Sequence, residues 1–299
     1  MQARRLPAER GTYWLLEGFR LFRRNSPFIT ALTLLYLLLV QGVAVLLPGI
    51  GPILLPLLLP ALTLIVANGC RLVDEGKKPG KEALLRGLAG KDGNAPAMLQ
   101  LGGLQLAGAV LLVVISTALG DGSDPFASSA DSAKPPAIGM TSPTPSNTDV
   151  EIPAAENSAA AVPKPNQMEM PVQAGDEVAV LNELLRLMLM AAPLVIAFWF
   201  APFLVGWDHV SPLKSLFFSM VASWRNWRAL GMFTLGALLV AGVLPGLILV
   251  TISQIAGLAV SVAMVAMRMV LIFLVAPVLT ASIYVSYRDI FHPTVDENV

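Results

Sequence analysis

Cysteine, histidine and charged residues are all scarce in this sequence of 299 residues. Cys70 is the only cysteine, so the chain has no intramolecular disulfide and no cysteine-based zinc or iron–sulfur site. His209 and His292 are the only histidines, and the sequence patterns of zinc proteases, serine hydrolases, phosphate-binding loops and dinucleotide-binding folds are absent. We therefore predict no cofactor, no metal site and no catalytic residue, and expect that the chain is not an enzyme.

The low charge content excludes an ordinary soluble domain. Only 13% of the residues are charged and 55% are hydrophobic, whereas about a quarter of the residues of soluble domains are charged. The apolar residues form six blocks of about 20 residues, the length with which a helix crosses a bilayer. Strands of a membrane barrel would alternate apolar and polar residues, and that pattern is absent. The sequence thus predicts an all-α, polytopic membrane helical bundle with spans at 28–47, 50–70, 97–119, 187–207, 230–251 and 258–284.

Positive charge is distributed unevenly along the chain. The segment 120–177 has no arginine, nine acidic residues and nine prolines, and it cannot bury enough apolar surface to fold. Basic residues occur instead in the segments 1–26, 71–96, 211–228 and 288–299. Because basic loops stay in the cytoplasm, we predict a bacterial inner-membrane protein with both termini in the cytoplasm and 120–177 as a disordered periplasmic loop. This loop separates two membrane halves, at 27–119 and 178–287.

Two of the basic segments have the pattern of amphipathic helices. The predicted apolar face of the first consists of Leu15, Leu16, Phe19 and Phe22, and that of the second runs from Leu213 to Trp227 within 211–228. Such cytoplasmic helices lie at the level of the headgroups, where anionic lipids attract basic side chains. The predicted partners are anionic lipid headgroups, and secondly other membrane or envelope proteins, but no nucleic acid. The candidate contact residues are Arg20, Arg23, Arg24, Lys214, Trp224, Arg225, Trp227 and Arg228.

Small and neutral polar residues within the helices predict close contacts between them. Ser211, Ser215, Ser219 and Ser223 recur at every fourth position, which either admits a neighbouring helix or forms a solvated face. Gly103 with Ala107, and Gly242 with Gly246, predict close approach in the third and fifth spans. The candidate interhelical hydrogen-bonding residues are Gln41, Asn68, Gln105 and Thr280.

Four landmarks recur in the same order in the two halves. They are Arg-Asn at 24–25 and 225–226, Leu-Pro-Gly at 47–49 and 244–246, Pro-x-Leu-Thr at 60–63 and 277–280, and an arginine at 71 and 288. Both copies have the same predicted orientation, which indicates a parallel internal repeat with pseudo-twofold symmetry about the membrane normal.

Three sequence stretches carry a resemblance to a known family. They are Phe200-Ala-Pro-Phe-Leu-Val-Gly-Trp, Val210-Ser-Pro-Leu-Lys-Ser-Leu-Phe-Phe-Ser and Trp224-Arg-Asn-Trp-Arg-Ala, to which Trp14, Gly18, Phe19, Phe22 and Arg23-Arg24 add. They resemble a family of uncharacterised proteobacterial multi-spanning inner-membrane proteins, which implies no specific activity. The layout is also similar to the membrane domain fused to some glycerophosphodiester phosphodiesterases, but the catalytic domain is absent.

Two functions are consistent with these patterns. The first is a non-enzymatic membrane protein that organises lipids or partner proteins through its basic and aromatic cytoplasmic helices. The alternative is a small-molecule transporter or channel with a neutral polar path between the two halves, near Gln41, Asn68, Gln105 and Thr280. The lack of charge in the middle of the predicted spans favours the first over an ion-coupled pump.

Overall fold

The computed structural model describes residues 4–89, 93–119, 174–256 and 259–292, and the regular elements in these ranges are all helices. The predicted disordered loop at 120–177 lies outside the described residues except for its last four, which begin a helix. The chain forms two units. The larger one consists of Met1–Leu112 and Met190–Val299, and the smaller one is Val113–Leu189. The side-chain contacts and cavities described below belong to the larger unit.

The described ranges form twelve α-helices and two π-helical segments. The α-helices are α1 (Arg10–Arg24), α2 (Ser26–Leu46), α3 (Gly51–Asp74), α4 (Lys81–Leu84), α5 (Ala95–Leu119), α6 (Ala174–Phe198), α7 (Ala201–Gly206), α8 (Pro212–Arg225), α9 (Trp227–Leu238), α10 (Leu244–Ala256), α11 (Ala259–Val270) and α12 (Ala276–Phe291). The π-helical segments are Leu239–Val243 and Leu271–Val275.

Six stretches of helix are long and apolar enough to cross a membrane. They are Ser26–Leu46, Gly51–Asp74, Ala95–Ala118, Leu185–Gly206, Trp227–Gln254 and Ser261–Phe291. Each overlaps one predicted span, so the prediction of six membrane helices is confirmed. The last one extends seven residues beyond its predicted end, so that the start of the predicted tail at 288–299 is still helical.

Prolines account for the irregular points of the spans. A proline removes one backbone hydrogen bond, and its ring clashes with the carbonyl four residues earlier. For Pro245 and Pro277 that carbonyl belongs to Ala241 and Phe273, and each lies in a π-helical segment, whose wider turn gives the ring space. For Pro202 it belongs to Phe198, the last residue of α6.

The Leu-Pro-Gly landmarks of the predicted repeat have different conformations. At 47–49 the tripeptide lies in the turn between α2 and α3. At 244–246 it lies inside a span, because α10 continues to Ala256. The two landmarks therefore match in sequence but not in structure. By contrast, Asn25 and Asn226 both interrupt the helix, between α1 and α2 and between α8 and α9. The internal repeat stays a prediction.

Helix α1 packs closely against α9 and α12. A Cβ atom on Gly11 would overlap the backbone of Ala229, and one on Gly18 would overlap Ser282. Between these two contacts Trp14 is completely buried. The closest approach of α1 uses glycines, and of the predicted apolar face Phe22 is buried whereas Leu16 and Phe19 are exposed, so the interfacial position of that face stays a prediction. Leu16 is 59% exposed and Phe19 41% exposed.

The serine strip of α8 packs against the protein, which confirms the predicted close approach of another helix. Ser215, Ser219 and Ser223 are buried, and α8 contacts α7. The Ser219 hydroxyl donates to the carbonyl of Ile196 (3.1 Å) and accepts from the N–H of Phe200 (3.0 Å). These two backbone groups would bond to each other in a continuous helix, so Ser219 occupies the gap where α6 gives way to α7.

The glycine contacts in the spans differ from those predicted. A Cβ on Gly103 or Gly246 would meet no atom within 4 Å, and one on Gly242 would meet only Leu238 of the same stretch of helix. The close approaches involve Gly102, against the backbone of Leu57, and Gly108, against Leu194. In the third span the contact face therefore lies one residue away from the predicted one, whereas in the fifth span the closely packed glycine is Gly236, against Leu15.

Replacing Gly18 by alanine tests the contact between α1 and α12. We expect Gly18→Ala to lower the thermal unfolding midpoint of the detergent-purified protein by several degrees, because overpacking costs about 1–3 kcal/mol. The matched control is Gly231→Ala, since a Cβ there meets nothing within 4 Å, and removing a helical glycine stabilises by about 0.5–1 kcal/mol. Equal midpoints for the two variants would contradict the close packing.

Replacing Ser219 by alanine tests the bridged break between α6 and α7. We expect Ser219→Ala to destabilise the protein by about 1–3 kcal/mol, because two buried backbone groups lose their partner. The control is Ser211→Ala, because Ser211 is exposed and makes no capping hydrogen bond. Chemical denaturation in detergent micelles measures the difference, and a Ser219→Ala protein as stable as Ser211→Ala would contradict the bridging role.

Candidate functional site

A cavity of 390 Å³ lies where three spans end. Its wall includes the last turn of α3, the residues that follow α7 and the last two turns of α12, together with the loop after α4. Charged side chains are concentrated there, and they come from parts of the chain that are distant in sequence. They include Arg71, Asp74, Arg86, Asp208 and Arg288, and His292 lies among them.

Asp74, the last residue of α3, connects three helices. One carboxylate oxygen accepts hydrogen bonds from the Tyr284 hydroxyl (3.0 Å) and from Arg288 (2.6 Å), and the other accepts from Arg24 (3.4 Å). Tyr284 and Arg288 reach the same carboxylate because residues four apart share one face of a helix. The ends of α1, α3 and α12 are therefore held together through one side chain.

Asp208 forms a second cluster with the end of α12. It accepts a hydrogen bond from the Tyr287 hydroxyl, and its other oxygen lies 3.2 Å from the His292 ring nitrogen. Tyr287 is buried among aromatic rings, with centroids at 5.1 Å from those of Phe203 and Trp207. The sequence pairs Asp208 with His209, but its structural partners lie at the other end of the second half.

Asn68 and Trp207 connect α3, α7 and the loop after α4. The Trp207 indole donates to the Asn68 side-chain carbonyl (2.7 Å). The Asn68 amide donates to the carbonyls of Leu84 (2.8 Å) and Arg86 (2.9 Å). The Trp207 ring is stacked on Phe203 (5.3 Å) and covered by the Arg71 guanidinium (5.3 Å). Trp207 thus has a positioning role, with its N–H bound to Asn68 and its ring in contact with Phe203 and Arg71.

The rim of the cavity has two residues with positive φ. His209 (φ 52°) follows α7, and the next N–H, of Val210, donates to the carbonyl of Leu204 six residues earlier (3.1 Å), which closes a wide turn beyond the end of the helix. Gly87 (φ 79°) has no space for a side chain because a Cβ would overlap Gly206. Helix termination explains the unusual backbone of His209, whose side chain is exposed.

Glu75 lies just beyond the end of α3, beside the cavity. Its carboxylate accepts from Lys77 (2.7 Å) and from Arg71 (2.8 Å). These hydrogen bonds hold the pKa of the Glu75 carboxyl below its usual range. Glu75 is therefore a charged and fully paired group at neutral pH.

The N-terminal segment binds to the end of α12 and to the junction of α8 and α9. Asp289 accepts from the Trp14 indole (2.7 Å) and from Arg10 (2.8 and 3.0 Å). Asn226 accepts from the N–H of Leu6 and donates to the carbonyl of Arg4, both at 2.8 Å. These bonds place residues 4–10 beside the candidate lipid-contact residues of α8 and α9.

A cleft of 230 Å³, here named the arginine cleft, results from this docking. It is lined by Arg5, Leu6, Pro7, Ala8, Arg225, Trp227 and Arg228, and this lining contains no acidic residue. Trp227 and Arg228 belong to α9, so the predicted amphipathic helix at 211–228 ends earlier than expected, at Arg225. The helix breaks there because the Asn226 side chain bonds to the N-terminal segment. Arg5 was not a predicted contact residue.

All eight candidate lipid-contact residues are exposed: Arg20, Arg23, Arg24, Lys214, Trp224, Arg225, Trp227 and Arg228. Trp224 and Trp227 are 81% and 65% exposed, which is unusual for so large an apolar side chain. Arg20 pairs with Glu17 (3.2 Å) and Arg24 with Asp74 (3.4 Å). The predicted set is thus accessible, and Arg225, Trp227 and Arg228 of this set line the arginine cleft.

The candidate interhelical residues have different environments. Asn68 is buried and bonds to Trp207, whereas Thr280 donates within its own helix to Ala276 (2.9 Å). Gln41 is exposed and Gln105 is half-buried, and neither forms a hydrogen bond in the described part of the chain. None of Gln41, Gln105 and Thr280 lines the cavity.

Sequence reasoning missed Asp74, Tyr284, Tyr287 and Asp289 as members of polar clusters. Arg71 and Arg288 were recognised only as landmarks of a repeat. A usable signal was the spacing of Tyr284, Tyr287 and Arg288, which places three polar groups on one face at the end of an apolar span. Their partners Asp74 and Asp208 are 79 or more residues away in sequence, and no pattern indicates that pairing.

Comparison with known proteins gives one informative relative. No protein-family model matches the chain, and no solved structure matches it. The chain is 30% identical over 292 residues to a probable inner membrane protein of Burkholderia thailandensis, and the alignment covers 97% of this chain and 94% of the relative. With its six apolar helices, the chain is a multi-pass membrane protein that belongs to the same family as this probable inner membrane protein.

Proposed function

We propose that the protein is a non-enzymatic component of the bacterial inner membrane that holds anionic lipids at the cytoplasmic surface. The arginine cleft carries this proposal, because three guanidinium groups and an indole line it without any carboxylate. Guanidinium groups bind phosphate oxygens in bidentate fashion. A tryptophan favours the interface between headgroups and acyl chains. The cleft thus has the two chemical features that an anionic lipid requires.

The outer face of α8 supports contact with lipid beside the cleft. Its exposed apolar side chains are Leu213, Phe217, Met220 and Trp224, which follow each other at helical spacing. The opposite face, with the serine strip, is buried against the protein. A helix with one face docked and an apolar stripe left exposed fits a position at the membrane surface, with the stripe toward the acyl chains.

The proposed orientation follows from the basic residues. The backbone N–H of Arg4 donates to the carbonyl of Ile290 (3.1 Å), so the N-terminal segment and the end of α12 lie together. The exposed arginines of α1, α8 and α9 belong to this same end of the larger unit. Because basic segments stay in the cytoplasm, both ends of the chain are cytoplasmic in this proposal. Lipid held there can also recruit a partner protein, which is the second part of the predicted organising role.

A transporter or channel with a neutral path has less support. Of the four residues that define that path, Gln41 is exposed and Thr280 bonds within its own helix. The side chain of Asn68 is occupied by Trp207 and by two loop carbonyls. The large cavity is charged and lies at the ends of the spans.

The arginine cleft is tested by a charge-matched pair of variants. We expect Arg225→Gln/Arg228→Gln to reduce retention of phosphatidylglycerol and cardiolipin about tenfold or more, since each basic residue near the surface contributes to anionic lipid binding. Lipids that co-purify from native membranes, quantified per protein by mass spectrometry, provide the measurement. In the described part of the chain neither arginine has an ion-pair partner, so the substitution leaves no carboxylate unpaired.

The control for this experiment is Lys78→Gln/Lys81→Gln. Both lysines are exposed, precede the loop at the cavity and lie outside the arginine cleft, and the net charge changes by the same amount. Equal lipid retention in the two double variants would contradict a specific role of the cleft and would leave only a general effect of charge.

A further inference from the structure

The cavity at the ends of the spans has the position at which a lipid phosphate lies. Two of its lining residues, Arg71 and Asp74, lie in the last turn of a span. Two others, Trp207 and Asp208, directly follow a span. Its volume of 390 Å³ is sufficient for a phosphate with its neighbouring polar atoms. It is separate from the arginine cleft, because the two have no lining residue in common.

The carboxylates of the cavity already have their partners. Asp74 accepts from Arg24, Tyr284 and Arg288. Asp208 is paired with Tyr287 and His292, and Glu75 with Arg71 and Lys77. Every oxygen of these three carboxylates therefore lies within hydrogen-bonding distance of a side-chain nitrogen or hydroxyl group. A ligand cation would have to displace one of these internal bonds.

Donors, in contrast, are in excess. Within the described residues the side chains of Arg86 and His209 have no hydrogen-bond or ion-pair partner, although both line the cavity. A guanidinium group carries five N–H donors. Arg71 uses its Nε with Glu75, and Arg288 uses one terminal nitrogen with Asp74. The cavity therefore presents unused N–H groups to whatever occupies it.

The aromatic residues of the cavity are unsuited to stacking on a ligand ring. The Trp207 ring is already packed against Phe203, Tyr284 and Tyr287 and contacts the Arg71 guanidinium. Tyr287 is packed against Phe203 and Phe291, and its hydroxyl is bound to Asp208. Recognition in this cavity therefore depends on charge and hydrogen bonds, which favours a compact anion over a nucleobase or a sugar ring.

We infer that the cavity binds a phosphate group, to which Arg86 and His209 donate hydrogen bonds from the rim while Arg71 and Arg288 supply positive charge from the wall. The phosphate belongs either to a phospholipid headgroup or to a soluble phosphate compound. The backbone of Arg86 is held in position beside the cavity because the Asn68 amide donates to its carbonyl (2.9 Å). The backbone of His209 is held by the hydrogen bond from the Val210 N–H to the carbonyl of Leu204.

The test uses the full-length protein in a zwitterionic detergent and two probes. The first is inorganic phosphate against chloride at equal ionic strength, and the second is phosphatidylglycerol in mixed micelles. The thermal midpoint is followed against probe concentration, and the half-maximal concentration is compared with that of Arg86→Gln/His209→Asn. Asparagine is chosen at 209 because it tolerates positive φ. We expect the double variant to need about tenfold more probe, or more, since two charge-assisted hydrogen bonds are lost.

The two probes separate the sources of the phosphate. Stabilisation by inorganic phosphate that depends on Arg86 and His209 indicates that the phosphate group alone is sufficient, as in a soluble compound. Stabilisation by phosphatidylglycerol alone, with the same dependence, assigns the site to a lipid headgroup. The inference is overturned when neither probe stabilises the wild-type protein, or when the double variant responds as the wild type does.

Two controls keep the result interpretable. The single variant Arg86→Gln retains the backbone at 209 and should show a smaller loss in the same direction, which covers the case of a poorly folded double variant. The arginine-cleft variant Arg225→Gln/Arg228→Gln should respond to inorganic phosphate as the wild type does. The two proposals can therefore fail separately. If the cleft variant keeps its lipid while the cavity variant loses its phosphate response, the proposed function fails and this inference stands. The opposite pair of results contradicts this inference and supports the proposed function.

Discussion

The Asp74–Arg288 ion pair, at 2.6 Å, joins the end of the second span to the end of the sixth. A charge in the hydrocarbon core costs several kcal/mol unless it is paired, so an ion pair between spans is least unfavourable where the hydrocarbon ends. Arg24 and Tyr284 complete the shell of Asp74 and bring α1 into the same cluster. The cavity exists because these three helix ends are held at fixed positions around it. The phosphate inference depends on this carboxylate, which adds an ion pair to the docking of α1.

A second constraint acts along the spans themselves. In lipid each backbone polar group needs an internal partner, yet this chain places prolines inside several spans. The structure contains two solutions. The π-helical segments before Pro245 and Pro277 widen the helix where the proline ring needs space. Before Pro202 the helix breaks. The Ser219 hydroxyl, which belongs to another helix, bridges the Phe200 N–H and the Ile196 carbonyl, which would bond to each other in a continuous helix. The second solution fixes α8 against the membrane region.

The sequence predicted most of what depends on local composition. The six spans follow from the length of apolar blocks, and the accessibility of Trp224 and Trp227 agrees with their predicted role. Packing faces were less predictable, because α1 docks through Gly11 and Gly18, residues that carry no hydrophobic signal. The pairings within the polar clusters were not predictable, because the partners are far apart in sequence. Trp14 and Asp289, for example, are separated by 275 positions.

That separation has a consequence for biogenesis. The partners of residues 4–14, Asn226 and Asp289, are translated more than 200 residues after them. At about 5–20 residues per second, the indole of Trp14 waits about 15–55 seconds for its carboxylate. Throughout this time α1 exposes a face that the finished protein buries completely. Insertion of the last span is thus the step that closes the molecule, and a chain released before that step keeps an unpaired amphipathic helix that quality-control factors can recognise.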